Sequence, residues 1–306
     1  MKLAERIISI GGGKGGVGKS VVASNLAVAM ADEGRQVVLV DGDLGAPNLH
    51  TLFGLTRTGP TLNSFLEHEL EHLEDARVDT GVRRLSLIRG SSALFGSANP
   101  SWAQKQRLLR NLEALDTDII IIDVGAGSGF NQLDLFELGD VRLIVSTPQL
   151  TSIENAYGFI KGAVYRALLP LLKTHGFEVL LEPSPGLAET TRLSGLLACA
   201  MECSPKLRAE LLDFFAGYRA MLFGNMVGEG REKVVFSALG KMMKDFLSIS
   251  VSVLGWAPSS RAVHDSVNRR RPLLLEGRGD EAAQALRSAA RALLEEPLGR
   301  RLRRAA

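Results

Sequence analysis

Short apolar runs and amphipathic segments alternate along the chain. Runs rich in Ile, Val and Leu predict β-strands at 6–10, 36–40, 84–88, 118–122, 141–145 and 251–256. Several are hydrophobic throughout, which is typical of strands covered on both faces of a parallel sheet. The segments between them predict helices, the clearest at 19–33, 101–114, 151–174, 231–247 and 279–294. This order predicts an α/β fold with a doubly wound, mostly parallel sheet flanked by helices, whose ligands bind at the carboxyl ends of the strands.

One segment departs from this alternation. Residues from about 162 to 218 form a stretch longer than a single crossover needs, largely helical in pattern, with Pro and Gly breaks near 183–186 and 204–205. We interpret it as a helical insertion within a single domain that spans 1–306, because no flexible linker or internal repeat separates it from the rest. Residues from about 295 to 306 are predicted to form a basic tail.

Composition narrows the class of protein. The 306 residues are 45% hydrophobic and 23% charged, with a formal net charge of +2. This is typical of a globular protein and gives no general argument for binding to nucleic acid or membranes. The two cysteines do not suggest a disulfide framework. The chain also has no apolar stretch of membrane-spanning length and no signal-peptide pattern. These observations predict a cytoplasmic protein.

A glycine-rich stretch, GGKGGVGKS at 12–20, follows the first predicted strand and precedes a helix. Glycine amides in such a loop curl around phosphate oxygens, and the helix N-terminus adds positive potential. Lys19 would lie between the β- and γ-phosphates, and the hydroxyl group of Ser20 would bind Mg²⁺. The predicted phosphate-binding residues are Gly13, Gly15, Gly16, Val17, Gly18, Lys19, Ser20 and Val21.

A second lysine lies in the middle of this loop. The context of Lys14, KGGVGKS, resembles the deviant Walker A motif of the MinD/ParA ATPase superfamily. The resemblance implies a P-loop NTPase in which Lys14 reaches across a dimer to the phosphates bound by the other subunit. A cation supplied in this way would stabilise the charge on the transferred phosphoryl group, as an arginine finger does.

Acidic residues follow two of the predicted strands. Asp41 and Asp43 end VVLVDGD, which resembles the first switch of the family, and Asp123 ends IIIID, as a Walker B acid does. By resemblance, Asp43 orients or deprotonates the attacking water, and Asp41 helps to hold the hydration shell of Mg²⁺. Asp123 would bind Mg²⁺ through water. Gly127 would belong to a flexible second switch that brings a backbone N–H to the γ-phosphate. The predicted metal-site residues are Ser20, Asp41 and Asp123.

Two later elements resemble the adenine site of the family. Asn225 ends MLFGN, and Pro258 follows LGWA. The resemblance implies that Asn225 reads the adenine edge and that Pro258 lies beside the base, although an Asn at a strand end is also a common turn residue. The stretches DGDLGAPN at 41–48 and DVGAG at 123–127 resemble in particular the MinD/FlhG-like branch, whereas ParA partition proteins tend to carry a different first switch.

The resemblance implies a function as well as a site. Such a protein forms a homodimer with ATP and Mg²⁺, and it hydrolyses ATP slowly until a partner stimulates it. Hydrolysis then acts as a switch for positioning or regulating a cell structure such as a flagellum, a division site or a polar assembly, through an unidentified activator or cargo protein. Four arginines at 300–304 suit either a solvated tail or weak contact with the inner membrane, including at the cell pole.

Two other functions stay open. A ParA-like partition ATPase would bind DNA and cargo, with arginines 269–271 as candidate DNA contacts, although the near-neutral charge makes DNA the less favoured partner. An Mrp-type iron–sulfur carrier would use Cys199 and Cys203, which share one face of a helix at this spacing. Cysteines among Leu, Ala and Met are more often small core residues.

Overall fold

The apolar runs of the sequence form the strands of one sheet. The computed structural model describes residues 4–56, 58–90, 100–178, 195, 197–198, 201–202, 204–277 and 279–296. The strands are β1 Arg6–Gly11, β2 Val37–Gly42, β3 Arg77–Asp79, β4 Leu85–Ile88, β5 Ile119–Val124, β6 Val141–Ser146, β7 Ala220–Asn225 and β8 Val251–Ala257. Every residue of β1, β2, β5 and β6 is buried, as the unbroken hydrophobic runs predict.

The strand order places the glycine-rich loop at the middle of the sheet. The order is β3-β4-β2-β5-β1-β6-β7-β8, and only the pairing of β3 with β4 is antiparallel. Strand β1 therefore lies between β5 and β6. The register of β2 against β5 pairs Asp41 with Asp123. The loop and both acids consequently meet at the carboxyl edge of the central strands, where ligands of such sheets bind.

Helices cover both faces of the sheet. They are α1 Lys19–Asp32, α2 Leu49–Leu52, α3 Leu62–Leu66, α4 Trp102–Glu113, α5 Phe130–Phe136, α6 Leu150–Thr174, α7 Pro205–Gly217, α8 Arg231–Leu247, α9 Arg261–Asn268 and α10 Glu281–Glu295. Buried residues of α1 and α10 form the apolar core on one face, and those of α4 to α8 form the core on the other. None of the helices in the described part of the chain combines the length and apolarity needed to cross a bilayer.

The predicted fold class is confirmed, and the long elements lie within two residues of their predicted bounds. The sequence did not predict the three-residue strand β3 or the short helices α2, α3, α5 and α9. These elements are too short to show a clear hydrophobic period, so their formation depends on contacts with the rest of the fold.

In its described part, the segment predicted as an insertion includes the end of α6 and the whole of α7, and both pack on the core. Residues 162–174 continue α6, and α7 forms its own contacts with the same core. The side chains that these parts bury are Ala163, Val164, Leu168, Leu172, Leu207, Leu211 and Phe214. Most of 179–203, including Cys199 and Cys203, and all of 297–306 lie outside the described residues. The division into an ATPase core, an insertion and a tail stays a prediction.

Two aromatic rings pack over the end of β1. Phe136 of α5 and Phe159 of α6 meet edge to face, with 4.8 Å between their centroids. A Cβ atom at Gly11 would lie 2.6 Å from a ring carbon of Phe159 and 2.7 Å from one of Phe136. Only glycine therefore lets α5 and α6 approach the strand that leads into the phosphate loop.

Replacing Gly11 tests this packing. Gly11→Ala should lower the free energy of unfolding by about 1–3 kcal/mol, because the added methyl group forces the two rings apart. Chemical denaturation measures the change. Gly158→Ala is the matched control, since this exposed glycine of α6 has no neighbour within 4 Å of the added carbon; it should be neutral or stabilising by up to about 1 kcal/mol. Equal effects of the two substitutions would contradict the account.

Candidate functional site

The glycine-rich loop is shaped by both conformation and close approach. Gly18, the N-cap of α1, has φ 89°, in the left-handed region that favours glycine. A side chain at Gly13 would collide with the backbone of Asn155 in α6. The loop is therefore held against the first turns of α6, and it leads directly into α1, whose N-terminus can bind an anion.

The two lysines of the loop have different environments. Lys19 is buried, with 8% of its surface exposed, and its Nζ donates to the carbonyl oxygen of Lys14 at 3.3 Å. Burial lowers the pKa of Lys19, while Asp123 and Asp43 act in the opposite direction. Lys14 is exposed, and its Nζ donates to Oγ1 of Thr151 at 3.0 Å. Lys19 thus contacts the backbone of its own loop, whereas Lys14 lies at the surface.

Asp123 is buried without full compensation of its charge. Its exposure is 2%, and no hydrogen-bond partner of its Oδ1 is found in the described part of the chain. Burial, followed by the neighbouring charge of Asp41, raises the pKa of Asp123 to about 8, and a hydrogen bond from the Ser20 hydroxyl group and the charge of Lys19 oppose this. A free carboxylate oxygen beside a hydroxyl group is a fitting place for a hard cation.

These residues fit Mg²⁺ held together with a nucleotide. No three His, Cys, Asp or Glu side chains converge on one metal position within the residues that the structure describes. Mg²⁺ is commonly bound by one or two protein oxygens, several waters and substrate phosphates, and it does not require an all-protein cage. Ser20 and Asp123 can supply the protein oxygens.

Asp41 holds the loop after β2, the predicted first switch, in place. Its Oδ2 accepts backbone N–H bonds from Asn48 and Leu49, both at 3.0 Å, and its Oδ1 accepts one from Asp43 at 3.3 Å. Burial raises the pKa of Asp41 to about 7, although these backbone bonds favour its charged form. The sequence did not predict this use of the carboxylate, because it depends on the path of the loop. A role of Asp41 in the hydration shell of Mg²⁺ stays a prediction.

The loops after β2 and β5, the two predicted switches, contact each other. Oδ1 of Asp43 accepts backbone N–H bonds from Gly45 at 3.1 Å and from Ala46 at 2.9 Å. A Cβ atom at Gly125 would lie only 3.0 Å from Cγ of Asp43. Gly127 follows in the left-handed region, with φ 95°. A shift of the backbone in the loop after β5 would therefore displace Asp43.

The predicted adenine contacts lie at the same edge of the sheet. Asn225 pairs with Ala257 in the register of β7 and β8, which places Asn225 close to Pro258 in the chain that follows β8. Nδ2 of Asn225 donates to the carbonyl oxygen of Val17 at 2.9 Å. The structure thus brings Asn225 to the phosphate loop, and its contact with adenine stays a prediction.

Sequence reasoning missed Thr151 as the partner of Lys14. Thr151 lies in the first turn of α6, and the stretch TSIENAY that contains it shows only a helix start. The contact follows from the position of α6 against the loop at Gly13, which the sequence does not reveal.

Comparison with protein families agrees with this geometry. The sequence model of the ParA family, described as NUBPL iron-transfer P-loop NTPase, matches residues 4–161. This chain belongs to the ParA family of P-loop NTPases. The match runs from the start of the sheet into α6, and it includes the phosphate loop and the acids after β2 and β5. The superfamily predicted from Lys14 is therefore confirmed.

Curated relatives match about half of the chain. The antiactivator FleN of Pseudomonas aeruginosa is 34% identical over 158 residues, which are 51% of this chain and 55% of FleN. The flagellum site-determining protein YlxH of Helicobacter pylori is 31% identical over 165 residues, which are 51% of this chain and 53% of YlxH. The chain thus matches little more than half the length of these relatives.

A solved structure shares its fold with more of the chain than the family model matches. The septum site-determining protein MinD of Pyrococcus horikoshii, complexed with Mg-ADP, superposes with a TM-score of 0.66 at 20% identity. The superposition covers 94% of this chain and 95% of that one. At this identity the likeness concerns the fold, and it extends over the helices that follow β6.

The buried charge of Asp123 predicts a pH dependence of stability. Its folded-state pKa of about 8 exceeds the ordinary value of 3.8, so the nucleotide-free folded state binds the proton more tightly than the unfolded state does. The contribution of Asp123 to stability should therefore be greatest at low pH and should fall by on the order of a few kcal/mol as the pH rises from about 4 to about 8. Asp123→Asn should lose less stability over this range, because it carries no charge.

Chemical denaturation at several pH values measures both proteins without nucleotide. Asp245→Asn is the matched control, because it makes the same substitution at an exposed position of α8, and its stability should follow that of the wild type across the pH range. Parallel curves for the wild type and Asp123→Asn would contradict the assignment of an uncompensated buried charge.

Proposed function

We propose that this chain is an ATP-dependent dimerising switch, with ATP and Mg²⁺ as its cofactors. The observation that carries the proposal is the exposure of Lys14 within a loop whose other lysine, Lys19, is buried. An ammonium group that faces outward at the edge of a phosphate site is suited to the phosphates of a second copy. A cation supplied by another subunit stabilises the transition state of phosphoryl transfer.

The residues of one copy divide the remaining tasks. Lys19 and the amides of residues 13–21 bind the phosphates, and Ser20 and Asp123 hold Mg²⁺, which neutralises charge on the phosphate oxygens when bound. Asp43 orients the attacking water. Asp41 fixes the first switch through its three backbone bonds, which sets where Asp43 can lie.

The names of the relatives support a role in cellular positioning or regulation. FleN is an antiactivator, YlxH determines the site of a flagellum, and MinD determines the site of the septum. We extend this to the chain as a switch that positions or regulates a cell structure through an activator or cargo protein. A peripheral location at the inner membrane or cell pole would suit this role.

Two alternatives remain as proposals. A partition ATPase would contact DNA through arginines 269–271, but Arg269 is already paired with Glu276 at 3.0 Å and with Asp265 at 3.8 Å. This pairing disfavours the DNA alternative. The iron-transfer description of the family model keeps an iron–sulfur carrier open, and the cysteines that it would need lie outside the described residues. Iron analysis after anaerobic purification distinguishes this function.

Removing Lys14 tests the contribution across the dimer. Lys14→Ala should bind Mg²⁺ and ATP within a few-fold of the wild type, because Lys19 and the loop amides remain. Its hydrolysis rate should fall by at least about 100-fold, since a cation supplied in trans is worth about 10³–10⁵ in other phosphoryl-transfer enzymes. Equilibrium binding of a fluorescent ATP analogue and steady-state hydrolysis measure the two effects. Lys241→Ala, at an exposed position of α8, is the control; full activity of Lys14→Ala would refute the role.

Asp43 should matter for hydrolysis more than for binding. Asp43→Ala should bind ATP and dimerise, and it should hydrolyse ATP at least about 100-fold more slowly because the attacking water is no longer oriented. Hydrolysis assays and sedimentation with ATP measure the two properties, and Asp79→Ala, at an exposed acid of β3, is the control. A monomeric Asp43→Ala protein under conditions where the wild type dimerises would show that Asp43 acts in assembly instead.

A further inference from the structure

The residues that follow β4 lie against the loop after β2, the predicted first switch. Strand β4 pairs in parallel with β2, so the two chains leave the sheet side by side at its carboxyl edge. A Cβ atom at Gly90 would lie 2.7 Å from Cβ of Pro47. It would also lie 3.2 Å from the carbonyl oxygens of Asp41 and Asp43. The backbone of Gly90 is therefore packed directly against the loop that carries Asp43.

Arg89 holds the chain that follows α2. Its Nη1 donates to the carbonyl oxygen of Thr56 at 2.7 Å, and its Nη2 donates to that of Pro60 at 3.0 Å. Between these two residues, Gly59 has φ 101°, and a Cβ atom there would lie 3.0 Å from Nη2 of Arg89. The chain from 56 to 60 is thus wrapped around the guanidinium group.

The charge of Arg89 is buried without a counter-ion. The residue is 2% exposed, and burial lowers its pKa. Among the residues that the structure describes, no carboxylate pairs with Arg89 and its Nε has no hydrogen-bond partner. The sequence SSALFGSAN at 91–99 contains no acid either. A buried cation without a carboxylate is costly. Such a breach of the usual rules is expected where the side chain serves a function.

The shape of the guanidinium group explains why an arginine suits this position. Its planar fork presents donors in fixed directions, whereas the ammonium group of lysine is a compact charge on a flexible stem. The carbonyl oxygens of Thr56 and Pro60 are thereby held at a fixed separation. The segment that starts at the first switch is consequently fixed at one end by Gly90 and at the other by Arg89.

We infer that Arg89 is a positioning residue for ATP hydrolysis, which holds the first switch where Asp43 can orient the attacking water. The inference rests on the proposed function, because it uses the role proposed there for Asp43. Arg89 acts through the backbone at 56–60 and through its neighbour Gly90. A displacement of about 1 Å in a catalytic group can cost about 100-fold in rate. Loss of Arg89 should therefore lower kcat, and nucleotide binding by the phosphate loop should remain.

Substitution of Arg89 tests this separation of rate from binding. Arg89→Met keeps the length of the side chain and removes its donors, so kcat should fall at least about tenfold while the Kd for Mg²⁺-ADP stays within about twofold. Arg89→Lys should show a similar loss, because one ammonium group does not replace the fork. It decides the question if Arg89→Met fails to fold. Steady-state hydrolysis and equilibrium binding of Mg²⁺-ADP measure the two effects.

The matched control is a second buried arginine far from the site. Arg6 is 8% exposed at the start of β1, at the opposite edge of the sheet, and it donates to the carbonyl oxygens of Leu293 and Glu296. Arg6→Met therefore also removes donors from two backbone carbonyl groups. Its kcat, measured per folded molecule, should stay within about twofold of the wild type, because its contacts do not reach the switches.

A double variant tests whether Arg89 acts through Asp43. Single-turnover hydrolysis compares Asp43→Ala with the protein that carries both Asp43→Ala and Arg89→Met. If Arg89 only places Asp43, the double variant should be as slow as Asp43→Ala alone, within about twofold, because residues that act as a unit are not additive. An arginine that only stabilises the fold would instead slow the double variant further, by the factor seen for Arg89→Met alone. That additive result would overturn the inference.

The outcomes separate the inference from the function on which it rests. A wild-type protein without ATP hydrolysis, or an Asp43→Ala protein as fast as the wild type, would overturn the proposed function and, with it, this inference. Arg89→Met and Arg89→Lys proteins with the kcat of the wild type would overturn the inference alone. Failure of both variants to fold, or a loss of Mg²⁺-ADP binding parallel to the loss of kcat, would make Arg89 a structural residue and also overturn it.

Discussion

The structure depends on a buried carboxyl group at the end of β5. Asp123 lies within an apolar sheet, where the Ser20 hydroxyl group and the Lys19 ammonium group offset its charge. Such a charge is costly unless a cation is nearby. The loop after β1 brings Lys19 and Ser20 to this edge, and α1 starts directly at Lys19.

The carboxylates at this edge of the sheet also contact the two loops that are expected to move. Asp41, the register neighbour of Asp123, uses its carboxylate to fix the first switch through backbone N–H groups. Asp43 then lies against Gly125 of the second switch, and the second switch leads into α5. The loops after β2 and β5 are therefore linked by direct contacts. Energetic coupling of this kind needs elements with two arrangements, and the two loops are the candidates.

The sequence predicted what is encoded by local pattern. The unbroken apolar runs such as 118–122 and the long amphipathic helices follow from periodicity, and the phosphate loop follows from glycine and lysine spacing. The backbone bonds of Asp41, the contact of Lys14 with Thr151 and the burial of Arg89 were not predicted. Each of these features depends on where a segment distant in the sequence packs. The spacing of residues along the chain does not reveal that position. The likeness of the fold to MinD covers 94% of the chain at 20% identity, because packing persists where sequences diverge.

The central claim is that each nucleotide site is completed by Lys14 of a second copy. The most direct measurement is ATP hydrolysis by an equal mixture of Lys14→Ala and Asp43→Ala proteins, each almost inactive alone. In a mixed dimer, the site that retains Asp43 receives Lys14 from the other subunit, so the mixture should recover up to about a quarter of the wild-type rate. A mixture no faster than its separate components would contradict the account, because a lysine that acts within its own subunit leaves every site defective.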